Sequence, residues 1–287
     1  MTSPPTRAAF LLRRRPVAPA IVLAALAGVV LSLSPTQSAF SQEHRSGRAK
    51  ATIVLVHGAW ADASSWNKVV TRLQGDGYRV AAVANPLRSL SGDAAYVRTY
   101  LESLDGPIVL VGHSYGGAVI TNAATGNPNV KALVYVNAFA PDEGETPTAL
   151  AGPDSALSVP DPTTVLDFVP ATLPPTEATD LYLKKSTVFE SFATGLSAQD
   201  KALVVATQRP AALGALNGVS GAPAWKQIPS WYLIGRNDKI IPASAERAMA
   251  KRAGSTVTEY DAGHLGLMTD PRTVVQEIER AERASIR

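Results

Sequence analysis

The feature that most constrains the fold of this 287-residue chain is a regular alternation of continuously apolar runs with segments of helical periodicity. Apolar, β-branched runs occupy residues 51–56, 78–84, 107–111, 130–136, 230–234 and 256–260. Helical spacing covers residues 66–74, 93–104, 118–124, 243–252 and 271–283. Strands without polar alternation, separated by helices, are typical of a parallel sheet that is covered on both faces. We therefore predict a doubly wound, mostly parallel α/β sheet with right-handed crossovers.

The alternation stops between residues 141 and 228. This stretch is rich in proline, and its amphipathic pieces are short, at residues 163–169, 177–187 and 198–206. No clear strand is visible in it, and the apolar runs resume only at residue 230. We predict a mostly helical cap, inserted at about residues 141–228 after the fourth strand of a single domain over residues 42–287.

The N-terminus has the layout of an export signal. Three arginines at residues 13–15 precede an apolar stretch over residues 17–33, and small residues follow at 39–41. This order predicts a secretory signal peptide over residues 1–41 and an exported, periplasmic or secreted protein. An uncleaved membrane anchor is the alternative, because the apolar stretch is nearly long enough to span a bilayer. The arginines suggest twin-arginine export, but the residues after them match that signal poorly.

Charge and cysteine content exclude several classes of function. The chain has a formal net charge of +3, and residues 1–41 contain four arginines and no acidic residue, so the remainder carries −1. The basic character therefore belongs to the export signal, and no nucleic-acid partner or membrane-surface patch is expected. The chain has no cysteine, which rules out disulfides, thiol catalysis and cysteine metal ligands.

A candidate nucleophile follows the third apolar run, in Gly112-His113-Ser114-Tyr115-Gly116. The pattern G-x-S-x-G alone arises often by chance. Here it lies between a strand and a helix, which is the context of a nucleophile elbow. In such an elbow a strained backbone holds the serine hydroxyl above the edge of the sheet. We therefore predict that Ser114 is a nucleophile.

A serine needs a base to accept its proton, and histidine is the usual one. The chain has four histidines. His44 lies in a polar lead-in, His57 precedes a glycine at the end of the first strand, and the side chain of His113 should point away from the adjacent serine. His264, just after the last strand, remains as the candidate base.

The base in turn needs a carboxylate that fixes its tautomer and stabilises its cation. Asp238 follows the penultimate strand in a loop where it is the only carboxylate, and it gives the chain order Ser, Asp, His of α/β-hydrolases. Asp142, after the fourth strand, is the rival. Two backbone N–H groups should stabilise the oxyanion: that of Tyr115 at the helix start and that of Ala59 in the first loop, with Trp60 as an alternative to Ala59.

The chain beyond its export signal resembles α/β-hydrolases along nearly its whole length. Within that fold it is similar to small bacterial esterases related to plant methylesterases and hydroxynitrile lyases. The segments that carry the resemblance are HGAWADASSW at 57–66, GHSYGG at 112–117 and HLGLMTDP at 264–271. The resemblance implies a triad of Ser114, Asp238 and His264, with Ala59 and Tyr115 as the oxyanion donors.

Two positions separate the branches of this family. The hydroxynitrile lyases that this chain resembles carry a threonine after the first-strand histidine and a lysine after the catalytic histidine. This chain has Gly58 and Leu265 at these positions. The resemblance therefore favours hydrolysis of small-molecule esters. A lactonase, a perhydrolase, a C–C hydrolase and a non-catalytic ligand-binding protein are the alternatives. No metal or organic cofactor is implied, because no histidine–carboxylate cluster has ligand-like spacing.

Large apolar side chains are available to shape a substrate pocket. Three lie near the predicted site, Trp60, Tyr115 and Phe139, and the cap offers Phe168, Leu173, Phe189, Phe192 and Trp225. Most such residues in a cap pack against the core rather than line a pocket. An apolar acyl or aryl pocket of moderate size is the expectation.

Overall fold

The structure is a computed structural model that describes residues 50–286. The predicted signal peptide, residues 1–41, and His44 lie outside the described residues. No helix within residues 50–286 is both long and apolar enough to cross a membrane.

The described part of the chain contains strands of a main sheet and of a small second sheet. In chain order the strands are β1 (Thr52–Val56), β2 (Arg79–Val83), β3 (Ile108–Ser114), β4 (Val130–Ala138), β5 (Leu166–Val169), β6 (Asp180–Leu183), β7 (Ala211–Ala212), β8 (Ser230–Gly235) and β9 (Thr256–Tyr260). The main sheet has the order β2-β1-β3-β4-β8-β9, and all its pairings are parallel. The prediction of a mostly parallel sheet is confirmed.

Helices connect the strands. They are α1 (Asn67–Gly75), α2 (Leu90–Glu102), α3 (Tyr115–Ala123), α4 (Pro147–Ala151), α5 (Lys185–Thr187), α6 (Ala198–Thr207), α7 (Leu213–Leu216), α8 (Ala243–Arg252), α9 (Gly266–Thr269) and α10 (Pro271–Ser285). Helices α1 and α10 pack together, and α2 packs on α3. The strand order reverses direction at β1, so the right-handed crossovers place these two helix pairs on opposite faces of the sheet.

Burial on both faces explains the apolar strands. All residues of β1 and β3 are buried, as expected for central strands between two helical layers. The closing helix α10 buries one stripe against the sheet, including Val274 and Ile278. It starts where Asp270 accepts a hydrogen bond from the Thr273 N–H, with Pro271 in its first turn. The carboxyl ends of β1 and β3 meet at the point where the strand order reverses, which is where open α/β sheets bind ligands.

The segment between β4 and β8 differs from the mostly helical cap that the sequence predicted. Helix α6 lies where a helical piece was expected. The pieces at residues 163–169 and 177–187 instead contain strands β5 and β6, which pair antiparallel and are joined by β7 in a three-stranded sheet. Strands of four residues are stabilised by pairing with distant residues, so a helical reading of an isolated piece was wrong here.

Candidate active site

The backbone at Ser114 makes a sharp turn from β3 into α3. Ser114 has φ 53° and ψ −127°, a backbone conformation that residues other than glycine rarely adopt. Helix α3 starts at the next residue. The turn leaves no space at Gly112, where a Cβ atom would lie 2.6 Å from the Gly116 carbonyl oxygen. The strained elbow that the sequence predicted is therefore observed, with the serine side chain at the end of the central strand.

The structure brings Ser114, His264 and Asp238 together in one hydrogen-bonded chain. The Nε2 atom of His264 lies 3.0 Å from the Ser114 hydroxyl oxygen, and its Nδ1 atom lies 2.8 Å from Oδ2 of Asp238. A carboxylate can only accept, so Nδ1 carries the proton and Nε2 accepts from the serine hydroxyl. All three side chains are almost completely buried.

The Asp238 carboxyl is held in its ionised form. Its Oδ1 atom accepts hydrogen bonds from the N–H groups of Ile240 and Ile241, at 2.7 and 3.0 Å. Burial alone would raise its pKa, but attraction to His264, the hydrogen bond from its Nδ1–H and these backbone hydrogen bonds hold the pKa of Asp238 below its usual range. The loop after β8 thus supplies both the acid and the donors that keep it charged.

The rival carboxylate, Asp142, is engaged elsewhere. Its Oδ1 atom accepts from the Lys226 ammonium at 2.6 Å and from the Glu143 N–H at 2.7 Å. The structure therefore places Asp238, and not Asp142, on the Nδ1 side of His264.

His113 is buried beneath the site and holds the loop of His264. Its Nε2 atom lies 2.9 Å from the backbone carbonyl oxygen of His264, so Nε2 must be protonated. Burial lowers the pKa of His113 to about 3, which keeps the ring neutral. The His113 and His264 rings lie 4.9 Å apart. The contact of His113 with the His264 loop was not foreseen.

His57 joins the ends of β1 and β2 rather than entering the chemistry. Its Nδ1 atom donates to the Gly58 carbonyl at 2.9 Å, and its Nε2 atom accepts from the Asn85 N–H at 3.0 Å. Burial lowers the pKa of this ring to about 4. His57 thus fixes the start of the loop that carries Gly58 and Ala59.

Asn137 is a polar residue near the site that sequence reasoning missed. Its Nδ2 atom donates to Oδ2 of Asp238 at 3.2 Å, and its Oδ1 atom accepts from the Tyr260 hydroxyl. Its φ of 45° lies in the left-handed region, which asparagine tolerates better than most residues. The signal in the sequence is a lone amide that follows the apolar run at residues 132–136 near the end of β4.

The two predicted oxyanion donors flank Ser114. Tyr115 is the first residue of α3, so its N–H has no partner inside the helix. Its hydroxyl donates to Oδ2 of Asp93 at 2.7 Å, which anchors the helix start. Ala59 and Trp60 follow Gly58, and a Cβ atom at Gly58 would lie only 3.1 Å from the Ser114 Oγ. Ala59, Trp60 and Tyr115 all line the same cavity as Ser114.

Ser114 lies in the wall of a partly open cavity of about 430 Å³ between the core and the cap. Its wall is mostly apolar and consists of Ala59, Trp60, Ser114, Tyr115, Phe139, Pro147, Thr148, Ala151, Leu157, Ser158, Asp161, Pro162, Thr163, Leu166, Phe168, Leu173, Pro175, Leu181, Leu213, Leu216, Asn217 and Ile240. The size and the apolar wall are typical of a small-molecule site.

The large side chains of the cap divide between the cavity and structural contacts. Phe168 and Leu173 line the cavity. Phe192 packs its ring 5.2 Å from the His264 ring and 6.0 Å from that of Trp60. The Trp225 indole N–H donates to the Pro141 carbonyl. The ammonium groups of Lys185 and Lys201 each lie 5.7 Å from the centre of the Phe189 ring. Within residues 50–286, no group of three His, Asp or Glu side chains is arranged to hold a metal ion.

The model of the alpha/beta hydrolase family matches residues 53–277 of this chain. Methylesterase 8 of Arabidopsis thaliana is 27% identical over 220 residues, which are 70% of this chain and 77% of that protein. The carbendazim hydrolyzing esterase of Nocardioides sp. is 36% identical over 114 residues, 35% of this chain, and the match spans only 47% of that relative. The resemblance to the methylesterase branch is confirmed.

Solved structures give the same result for the fold. The crystal structure of polyneuridine aldehyde esterase superimposes with a TM-score of 0.68 at 22% sequence identity. The match covers 81% of this chain and 99% of that one. At this identity the likeness shows the fold, and the chemistry must be argued from the site.

Proposed function

This chain belongs to the alpha/beta hydrolase family, and from that premise we propose that it is a serine carboxylesterase with Ser114, His264 and Asp238 as its catalytic triad. The observation that carries the proposal is the unbroken hydrogen-bonded chain from the serine hydroxyl to the buried carboxylate, at 3.0 and 2.8 Å. It ends at the wall of a cavity large enough for a small molecule. The names of relatives, a methylesterase and an esterase that hydrolyses carbendazim, favour esters as substrates.

The proposed reaction has two halves. His264 takes the proton of Ser114 as the serine oxygen attacks the ester carbonyl carbon, and the N–H groups of Ala59 and Tyr115 stabilise the oxyanion. The tetrahedral intermediate collapses, and the imidazolium gives its proton to the departing alcohol. A water molecule then attacks the acyl-enzyme with His264 as base, and the acid leaves. Asp238 stabilises the imidazolium in both halves.

The cavity favours neutral, apolar esters. Asp161 is the only ionisable side chain in its wall apart from Tyr115, and Oδ1 of Asp161 already accepts from the N–H and hydroxyl of Thr163. A charged substrate would lose its hydration without gaining a counter-charge. The wall also has no lysine or arginine that could stabilise a departing cyanide, and Leu265 is buried and apolar. Ester hydrolysis is thus favoured over the lyase reaction.

The direct test is a panel of p-nitrophenyl esters of increasing acyl length, assayed with the wild type and Ser114→Ala. We expect Ser114→Ala to lose at least about 10³-fold in kcat, because only the oxyanion hole and binding remain. Ser103→Ala, at an exposed serine after α2, is the matched control and should retain wild-type rates. Hydrolysis that survives in Ser114→Ala would contradict the proposal. Lactones, esters supplied together with hydrogen peroxide, and C–C substrates, assayed alongside, would identify a different acyl chemistry on the same residues.

We also propose that the protein is exported and that residues 1–41 are removed. The support is the basic, apolar and small-residue order of that segment. Expression with and without residues 1–41, followed by N-terminal sequencing of the protein outside the cytoplasm, tests this. A mature N-terminus near residue 42 is expected. Full-length protein retained in the membrane fraction would favour the anchor instead.

A further inference from the structure

A second carboxyl group lies behind the acid of the proposed triad. Glu246, in the first turn of α8, is 0% exposed, and it lies close enough to Asp238 for the Asp238 charge to act on its carboxyl. Neither of its oxygens receives a hydrogen bond from another described group. The proposed reaction does not use this residue, and a buried carboxylate without donors is costly.

The neighbours of Glu246 cannot neutralise it. The nearby hydroxyls of Tyr232 and Tyr260 both donate elsewhere, to the Ala138 carbonyl and to Asn137. The guanidinium of Arg247 is directed to Glu259, with two hydrogen bonds of 2.7 and 2.8 Å.

The arginine at the end of the same helix is also bound to other groups. Arg252 binds the Glu145 carboxylate and the Ala140 carbonyl. Within the described part of the chain, neither Arg247 nor Arg252 is therefore bound to Glu246.

Two adjacent buried carboxyls that lack a cation cannot both ionise, so one of them keeps a proton. The hydrogen bonds decide which one. Asp238 accepts four, from His264, Asn137 and the N–H groups of Ile240 and Ile241, and all of them favour its charged form. Glu246 has one nearby backbone donor, the N–H of Gly235, and no hydrogen bond to either of its oxygens. Burial, and then the charge of Asp238, raise the pKa of Glu246 well above its usual range.

We propose that Glu246 is a positioning residue that stays protonated at neutral pH and donates a hydrogen bond to Asp238. This role rests on the proposed triad, because it acts through Asp238 on His264. A single negative charge then faces the histidine instead of two. A second charge would over-stabilise the imidazolium, and less of the enzyme would carry the neutral histidine that accepts the serine proton.

The test compares the acid limb of the pH profile of kcat/KM in two variants. In Glu246→Leu the donor is lost, Asp238 becomes more basic, and the acid limb should move to higher pH by about one unit. Glu246→Gln keeps a neutral donor of the same shape and should restore the wild-type acid limb. Glu102→Gln, at an exposed position at the end of α2, controls for the same substitution away from the site.

Two results would overturn the proposal. If Glu246 were ionised in the wild type, Glu246→Gln would remove a negative charge and move the acid limb to lower pH. An unshifted acid limb in Glu246→Leu would show that no hydrogen bond to Asp238 affects the histidine. A role in packing alone would lower the unfolding temperature without moving the limb in either variant.

Infrared spectroscopy reads the proton directly and does not depend on catalysis or on the folding of Glu246→Leu. The difference spectrum between the wild type and Glu246→Gln at neutral pH should contain the C=O stretch of a protonated carboxyl group. Its absence would contradict the proposal even if ester hydrolysis is observed. Conversely, if the wild type shows this band but hydrolyses no ester, the proposed function is refuted while the protonation of Glu246 is still supported.

Discussion

The loop after β1 packs closely against Ser114, the last residue of β3. A Cβ atom at Gly58 would lie 2.6 Å from the Ser114 Cβ and 3.1 Å from its Oγ. Only hydrogen fits in this space, so the geometry of the nucleophile depends on a glycine one strand away.

Gly58→Ala should therefore impair catalysis more than folding. We expect kcat/KM for p-nitrophenyl acetate to fall about 100-fold, because a displacement of the nucleophile of about 1 Å has that effect. Crowding should lower the free energy of unfolding by about 1–3 kcal/mol, measured by urea titration. Gly75→Ala is the control, since a Cβ atom there meets nothing within 4 Å. Wild-type kinetics in Gly58→Ala would show that the loop is not packed on the serine.

Asn137 allows a second test at single-residue scale. Both Asn137→Ala and Asn137→Gly remove the amide that donates to Asp238, and kcat should fall about 10-fold in each with little change in KM. The backbone at this position has a φ of 45°, which glycine adopts freely and which strains alanine because of its Cβ atom. Asn137→Ala should therefore unfold at a lower urea concentration than Asn137→Gly. A fall in kcat for alanine alone would mean that strain, and not the amide, is responsible.

At the scale of elements, the cap determines what reaches Ser114. The Trp60 indole N–H donates to the Leu181 carbonyl at 2.9 Å, which ties the loop after β1 to strand β6 of the cap. The guanidinium of Arg88 adds contacts to Asp180 and to the Pro210 carbonyl. These contacts place the apolar faces of β5 and β6 over the cavity.

Leu173 is the cap residue best suited to test this arrangement. Its side chain lines the cavity but is 71% exposed, so it contributes little to the core. Leu173→Ser should lower kcat/KM for p-nitrophenyl octanoate several-fold while leaving the acetate and the unfolding temperature unchanged. Val219→Ser, at a residue that is 64% exposed and not part of the cavity wall, is the control. Equal losses for both esters would mean that Leu173 does not contact the acyl chain.

The sequence predicted the elements of the core much better than those of the cap. Strands such as β1 and β3 are buried on both faces, and their apolar runs are visible without knowing their neighbours. Strands β5 and β6 have four residues each, and their signal is a brief alternation in which Leu166 and Phe168 are less exposed than the residues between and after them. Such a short alternation does not distinguish a strand from a helical turn.

The same distinction applies to the site. Ser114 ends β3, and Asp238 and His264 follow β8 and β9. The carboxyl ends of these parallel strands lie at one edge of the sheet, so the approach of the three residues could be predicted from topology. Their catalytic roles remain predictions. Asn137 and Glu246 come from a strand and a helix that approach Asp238 only in the folded chain. Their importance follows from tertiary hydrogen bonds and burial, which a single sequence does not show.

At the scale of the whole molecule, buried neutral histidines should make stability depend on pH. Burial lowers the pKa of His57 from 6.5 to about 4, so the unfolded chain binds a proton there that the folded chain does not. The associated stability is complete above about pH 6.5 and is lost as the pH falls towards about 4. His113, with its pKa lowered to about 3, acts in the same direction.

His57→Gln isolates this contribution from those of the other buried groups. Between about pH 8 and about pH 5, the wild type should lose about 2 kcal/mol of unfolding free energy that the variant does not lose. Urea titrations of both proteins at the two pH values give this difference. An equal loss in the two proteins would mean that His57 is already protonated in the folded state, in conflict with its acceptance of the Asn85 N–H.

The measurement that tests the account most directly is labelling with a p-nitrophenyl phosphonate, which traps an activated serine as a stable adduct. Mass spectrometry of the intact protein should show one phosphonyl group per chain, and peptide mapping should place it on Ser114, with parallel loss of ester hydrolysis. Ser114→Ala should remain unlabelled. An active enzyme that forms no adduct, or one labelled at another residue, would contradict Ser114 as the nucleophile.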